Sequence, residues 1–104
     1  VGSLCISVIT EAELLFGLAK RSEATRLRAL VQEFLYRVTI LQWDSVAAKH
    51  YATLRADLET QGKTLSPMDM LIASHAMSQD LVMVTGDQAF TQIRSLKTQD
   101  WSSN

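Results

Sequence analysis

Three short, uncharged, β-branched runs separated by amphipathic stretches restrict the fold more than any other feature of this chain. Leu4–Ile9, Val38–Leu41 and Leu81–Thr85 are each too short for a helix and lack polar alternation, the pattern of strands buried on both faces. A last extended piece is expected near Lys97 to Trp101. Between these runs the apolar residues recur at helical spacing. Leu14, Leu15, Phe16 and Leu18 mark a first helix to about Lys20, and Leu27, Leu30, Val31, Phe34 and Leu35 a second, from near Glu23 to Arg37. Strands alternating with helices predict an α/β domain with a mostly parallel sheet of about four strands flanked by helices.

The helix ends are marked as clearly. Thr10 followed by Glu13 reads as a capping box that opens the first helix directly after the first strand. Asp44-Ser45 can cap a third helix carrying Val46, Ala47, Tyr51, Leu54 and Leu58, which Gly62 stops as a left-handed C-cap. Ser66-Pro67 opens a fourth helix, with serine as cap and proline in the first turn, running to about Ser78. Gly86-Asp87 turns out of the third strand, and Gln88 to Ile93 is expected as a short helix.

With 104 residues the chain has room for one core, so residues 1–104 are read as a single domain. Ten basic and eleven acidic side chains leave a formal charge of -1, which argues against a strongly basic nucleic-acid module or a polybasic membrane binder. Cys5 is the only cysteine, which excludes an intrachain disulfide and a cysteine-built zinc site and fits a reducing compartment. No apolar run approaches the roughly 20 residues of a membrane span, and no signal peptide precedes the first element, so a cytoplasmic protein is expected.

In open parallel sheets ligands collect where strands end and helices begin. Three acids stand at such places: Glu13 after the first strand, Asp69 in the first turn after Ser66-Pro67, and Asp87 just past Val84-Thr85. Converging carboxylates repel one another, and a divalent cation neutralises them. Magnesium suits hard oxygen ligands and needs few of them from the protein, and the chemistry it supports is phosphoryl transfer. Each acid also has a purely structural reading. Acids in a first turn are favoured by the helix dipole, Glu13 and Asp69 each complete a capping box, and Gly-Asp is a common turn.

Other residues carry less. His50 and His75 have no second histidine at ligand spacing and are expected to be partly buried or on the surface. Cys5 is expected as a core thiol. Trp43, Tyr51 and Trp101 are too scattered for a base-stacking platform, and Arg26, Arg28, Arg37 and Arg55 read as solvated helix charges that can steer a phosphate backbone.

The segment Ile6-Ser7-Val8-Ile9-Thr10-Glu11-Ala12-Glu13-Leu14-Leu15-Phe16-Gly17 resembles the second acidic segment of the PIN domains of VapC-type toxins. Ser66-Pro67-Met68-Asp69-Met70-Leu71-Ile72-Ala73-Ser74-His75-Ala76 resembles the third, and Val82-Met83-Val84-Thr85-Gly86-Asp87-Gln88-Ala89-Phe90 the fourth. Asp100-Trp101 also has the family's look, and the segments follow in family order over nearly the whole chain. The resemblance implies a PIN-like fold and a magnesium-dependent endoribonuclease, with manganese as a substitute, that forms the toxin half of a toxin–antitoxin pair. It implies Glu13, Asp69 and Asp87 as the catalytic and metal-binding acids, RNA as substrate, an antitoxin as protein partner, a homodimer as assembly, and no membrane.

One departure accompanies it. PIN domains open with a central strand carrying an Asp-Thr-Asn-like motif, and nothing precedes Val1 here. Loss of that strand would leave its neighbours' edges unpaired. The expectation is that the gap closes, that another chain fills it, or that the true protein is longer, and that the chain as given has greatly reduced or no nuclease activity. The alternative function is a non-catalytic, degenerate toxin that acts as an antitoxin-binding or dimerisation module. Leu15, Phe16, Leu18, Phe34 and Leu35, more apolar surface than one narrow core stripe needs, would supply its contact face.

Overall fold

The structure, a computed structural model, describes residues 4–100. Its contacts divide the chain into two compact units, one ending at Trp43 and the other beginning at Asp44.

The first unit is built as β1 (Cys5–Ser7), α1 (Val8–Lys20), α2 (Thr25–Arg37) and β2 (Thr39–Leu41). β1 and β2 pair in parallel, Cys5 opposite Thr39 and Ser7 opposite Leu41. Among the described residues β1 carries a partner on this one edge only. The strand expected over Leu4–Ile9 is shorter at both ends. β2 offers three residues to pair with, so the ladder stops at Ser7, and Val8 and Ile9 enter the helix instead. Ser7 takes extended angles and its buried Oγ accepts the Ile9 N–H at 3.0 Å, so Ser7 is the N-cap and the Thr10–Glu13 capping box does not form. Glu13 consequently sits in the second turn, and the acid of the first turn is Glu11.

α1 turns its buried Leu18 inward. Its terminal carbonyl at Leu18 accepts from the half-buried Arg28 guanidinium at 3.3 Å, so Arg28 is a helix-end cap and not a solvated charge. Arg37 pairs with Glu33 one turn earlier, and Arg26 is exposed. Leu15, Phe16 and Phe34 are exposed while Leu35 is half-buried, so the five apolar side chains divide between core and surface.

The second unit runs α3 (Ser45–Thr60), α4 (Pro67–Ser78), β3 (Met83–Val84), a 3₁₀ helix (Gln88–Gln92) and β4 (Thr98–Gln99). Asp44 caps α3 through the Ala47 N–H at 3.0 Å. The α3 end is a Schellman turn. Gly62 lies at φ +69°, its N–H reaches the Glu59 carbonyl at 3.1 Å, and the Lys63 N–H reaches Leu58 at 2.9 Å. α4 ends in the same pattern, with Asp80 at φ +53° where glycine is usual, the Asp80 N–H on Met77 and the Leu81 N–H on Ala76.

Leu54 and Leu58 of α3, Met70 and Ala73 of α4, and Phe90, Ile93 and Leu96 beyond β3 form the core, against which Tyr51 packs. Val46, expected on the inner stripe, is half exposed. His75 is buried in this unit, contrary to the expected partly buried or surface position, because α4 is enclosed at Ser74 and His75 as well as at its apolar positions. His50 and Cys5 are half-buried. Arg55 keeps its helix-face place, bonded to the Tyr51 hydroxyl at 2.9 Å and to Glu59 at 3.1 Å.

The run Leu81–Thr85 gives only the two-residue β3, paired in parallel with β4, Met83 opposite Thr98. Val82 and Val84 are left half exposed. The four parallel strands flanked by helices are those of the expected α/β fold, arranged among the described residues as two two-stranded sheets. Trp101, at the end of the expected last strand, lies outside the described residues.

Candidate active site

Asp69 stands in the first turn of α4 because Ser66-Pro67 starts the helix there. The Ser66 Oγ accepts the Asp69 backbone N–H at 3.1 Å, which is one arm of a capping box. The returning arm, from the Asp69 carboxylate to the Ser66 N–H, is not made. Among the described residues no hydrogen bond or ion pair engages the Asp69 carboxylate, which is half-buried, or that of Glu13, which is exposed. The capping reading of both side chains is therefore not what the structure uses them for.

Asp87 does cap. Its Oδ1 accepts the Ala89 N–H at 2.9 Å at the head of the 3₁₀ helix, and its own N–H donates to Thr85 Oγ1 at 3.0 Å. A carboxylate so used keeps its second oxygen for another partner. The Thr85 N–H is in turn fixed to the Gln99 carbonyl at 3.0 Å, so the turn that presents Asp87 is anchored to β4.

Two bonds tie the element that begins at Asp87 to the loop that leads into α4. Gln92 Nε2 donates to the Thr64 carbonyl at 3.0 Å, and Lys63 Nζ donates to the Gln92 carbonyl at 3.4 Å. Asp69 and Asp87 are thus carried by elements of the second unit that are bonded to each other, while Glu13 belongs to the first unit. Among the described residues no group of three or more His, Cys, Asp or Glu side chains is gathered closely enough to hold a metal ion.

Glu13 has surroundings the sequence did not reveal. It lines an open cleft of about 340 Å³ together with Leu14, Phe16, Lys20, Arg21 and the helix α2 residues Leu27 and Val31. The signal was present in the spacing, since Glu13, Phe16, Gly17 and Lys20 fall on one face of α1 at i, i+3, i+4 and i+7.

The PIN domain profile matches residues 1–96. The chain belongs to the PIN-domain family. Among curated proteins it is similar to the tRNA(fMet)-specific endonuclease VapC of Shigella flexneri, 38% identical over 97% of this chain and 77% of that protein. Among solved structures it is similar to VapBC2 of Rickettsia felis bound to a DNA fragment from its promoter, with a TM-score of 0.89, 31% identity, and coverage of 95% of this chain and 75% of that one. DNA-bound VapBC of Salmonella typhimurium matches with a TM-score of 0.88 and 39% identity over 93% of this chain and 74% of that one. The chain therefore spans about three quarters of the length of these VapC relatives. This PIN domain is of the VapC type, the toxin component of toxin–antitoxin pairs, and its relatives are ribonucleases. No helix of the described residues is long and apolar enough to cross a membrane.

Proposed function

We propose that this chain is a single-domain, magnesium-dependent endoribonuclease, the toxin of a toxin–antitoxin pair, acting in the cytoplasm with Glu13, Asp69 and Asp87 as its acidic site. The observation that carries the reading is the state of these acids. All three lie in the segments that resemble the family's acidic motifs, and among the described residues no hydrogen bond or ion pair employs the carboxylates of Glu13 and Asp69.

The donor set fits the metal. Carboxylate oxygens are hard ligands, and magnesium keeps most of its waters while taking one or two carboxylates from a protein. Asp69 and Asp87, the latter through its second oxygen, are the residues that would hold it. When bound, the ion polarises a phosphodiester and makes an attacking water more acidic. The protein's own part is to hold those acids in place. Ser66 fixes the backbone of Asp69, Thr85 fixes that of Asp87, and the Gln92–Thr64 and Lys63–Gln92 bonds keep the two supporting elements together.

Transfer RNA, the substrate in the name of the Shigella relative, is the first RNA to test. An antitoxin is the protein partner, supported by the VapBC complexes among the similar structures, and a homodimer is the proposed assembly. The test is cleavage of tRNA with magnesium or manganese and with EDTA. Asp69→Asn and Asp87→Asn are expected to lower the rate by about 10²-fold or more, the scale of a lost catalytic group. Cleavage that survives EDTA, or both substitutions, would refute the reading.

A further inference from the structure

We propose that the cleft beside Glu13 is a nucleoside subsite, which takes one unstacked base of single-stranded RNA against Phe16 and the adjoining phosphate at Lys20 and Arg21. The inference rests on the ribonuclease reading and extends it to how substrate is held.

Four observations meet at this place. Phe16 is 64% exposed, an unusual position for a phenylalanine. Lys20 Nζ stands over the Phe16 ring, 5.3 Å from its centre, so a cation already rests on one face of the aromatic surface and the other face is the one a base would stack on. Gly17, between Glu13 and Lys20 on the same helix face, leaves the cleft open, and a Cβ built there meets no atom within 4 Å. Leu27 and Val31 of α2 supply an apolar wall opposite.

The charges select the occupant. Two cations, Lys20 and Arg21, and one candidate catalytic acid, Glu13, line the cleft with the exposed ring, the cations at the C-terminal end of α1 and the acid more than a turn before them. An aromatic face next to cations is how proteins hold single-stranded nucleic acid, the base stacking on the ring while the backbone meets the positive charge. A purely apolar helix anchor would use the ring and wall and leave both cations without a role. One turn of helix separates Phe16 from Glu13, so a nucleotide seated here places its neighbouring phosphodiester toward the acid.

Fluorescence anisotropy of a labelled, unstructured RNA oligonucleotide with the full chain, in EDTA to prevent cleavage, tests this. Phe16→Leu is expected to weaken binding about tenfold, the effect of one lost stacking contact, while Phe16→Trp retains affinity and its added emission is quenched by RNA. Gly17→Leu, a good helix former that fills the cleft, is expected to give a similar loss. Lys20→Gln is expected to reduce the salt dependence of binding by about 0.7 in log–log slope. An oligonucleotide of the same length made of abasic units should bind Phe16→Leu and wild type alike, and circular dichroism confirms that each variant is folded. Wild-type affinity in both Phe16→Leu and Gly17→Leu, or an equal loss on the abasic strand, overturns the subsite. If those variants keep RNA binding and lose complex formation with the antitoxin, the cleft is a protein groove and the proposal falls. In either case wild-type cleavage abolished by Asp69→Asn leaves the ribonuclease reading standing. Wild type that neither binds nor cleaves RNA removes both.

Discussion

A serine hydroxyl at the end of β1 decides where α1 begins, and with it where Glu13 points. Ser7 and Thr10 are both competent caps by type, and Ser7 takes the role because the strand pairing ends there. Ser7→Ala should therefore cost about 1 kcal/mol, while Thr10→Ala, a mid-turn change to a better helix former, should stay within about 0.5 kcal/mol. Urea unfolding of the two variants measures this, and equal losses would restore the capping box. Gly62 offers a second single-residue test. At φ +69° a Cβ meets no neighbour, so Gly62→Ala isolates the backbone term and should destabilise by about 1–2 kcal/mol with an unchanged m value. Asp80 carries the same left-handed geometry without glycine and is held by Lys97 at 2.9 Å, an exposed pair that contributes little by itself.

Among the elements, α3 and α4 carry the second unit and β3 does not. Leu58, in the last turn of α3, is 3% exposed within the core cluster, so Leu58→Ala should cost about 2–5 kcal/mol by leaving a cavity. β3 and β4 are two residues each, with Val82 and Val84 half exposed, and their pairing closes few backbone bonds. Hydrogen exchange should show the amides of Met83 and Thr85 opening well before those in the middle of α3 and α4. Protection of β3 equal to that of α4 would show that the short pairing is part of the cooperative core. The same short pairing carries Thr85, whose N–H is bonded to the Gln99 carbonyl, and hence the turn that presents Asp87.

At the scale of the molecule, the proposed metal would link stability to function. A cation bound by the folded chain and not by the unfolded one raises the melting temperature with concentration, by about 2.7 kcal/mol at a hundred times its dissociation constant. Manganese should raise the melting temperature of the wild type and leave that of an Asp69→Asn, Asp87→Asn double variant in place. An equal rise in both would move the cation to another site.

The order of elements, their parallel pairing and most helix ends were legible in the sequence, because caps, glycine at a helix end and apolar spacing act over a few residues. Asp44, Gly62 and Ser66-Pro67 stand where their local chemistry puts them. The family was legible too, since its acidic segments are contiguous words. What local chemistry could not decide was a competition or a neighbourhood. The choice of Ser7 over Thr10 depended on how many residues β2 offers, and β3 was curtailed because pairing needs a partner of equal length and not only a β-branched run. The burial of His75 and the exposure of Phe16 depended on which helix faces found a cover. The sequence determined the elements and the acids they carry, because those are properties of short stretches. Only the tertiary structure decided that two of the acids find no hydrogen bond or ion pair among the described residues, and that Glu13 shares a cleft with an exposed ring and two cations. The first depends on neighbours distant in sequence, and the second on Leu27 and Val31 of α2 closing the cleft beside a face of α1 whose helical spacing the sequence already carried.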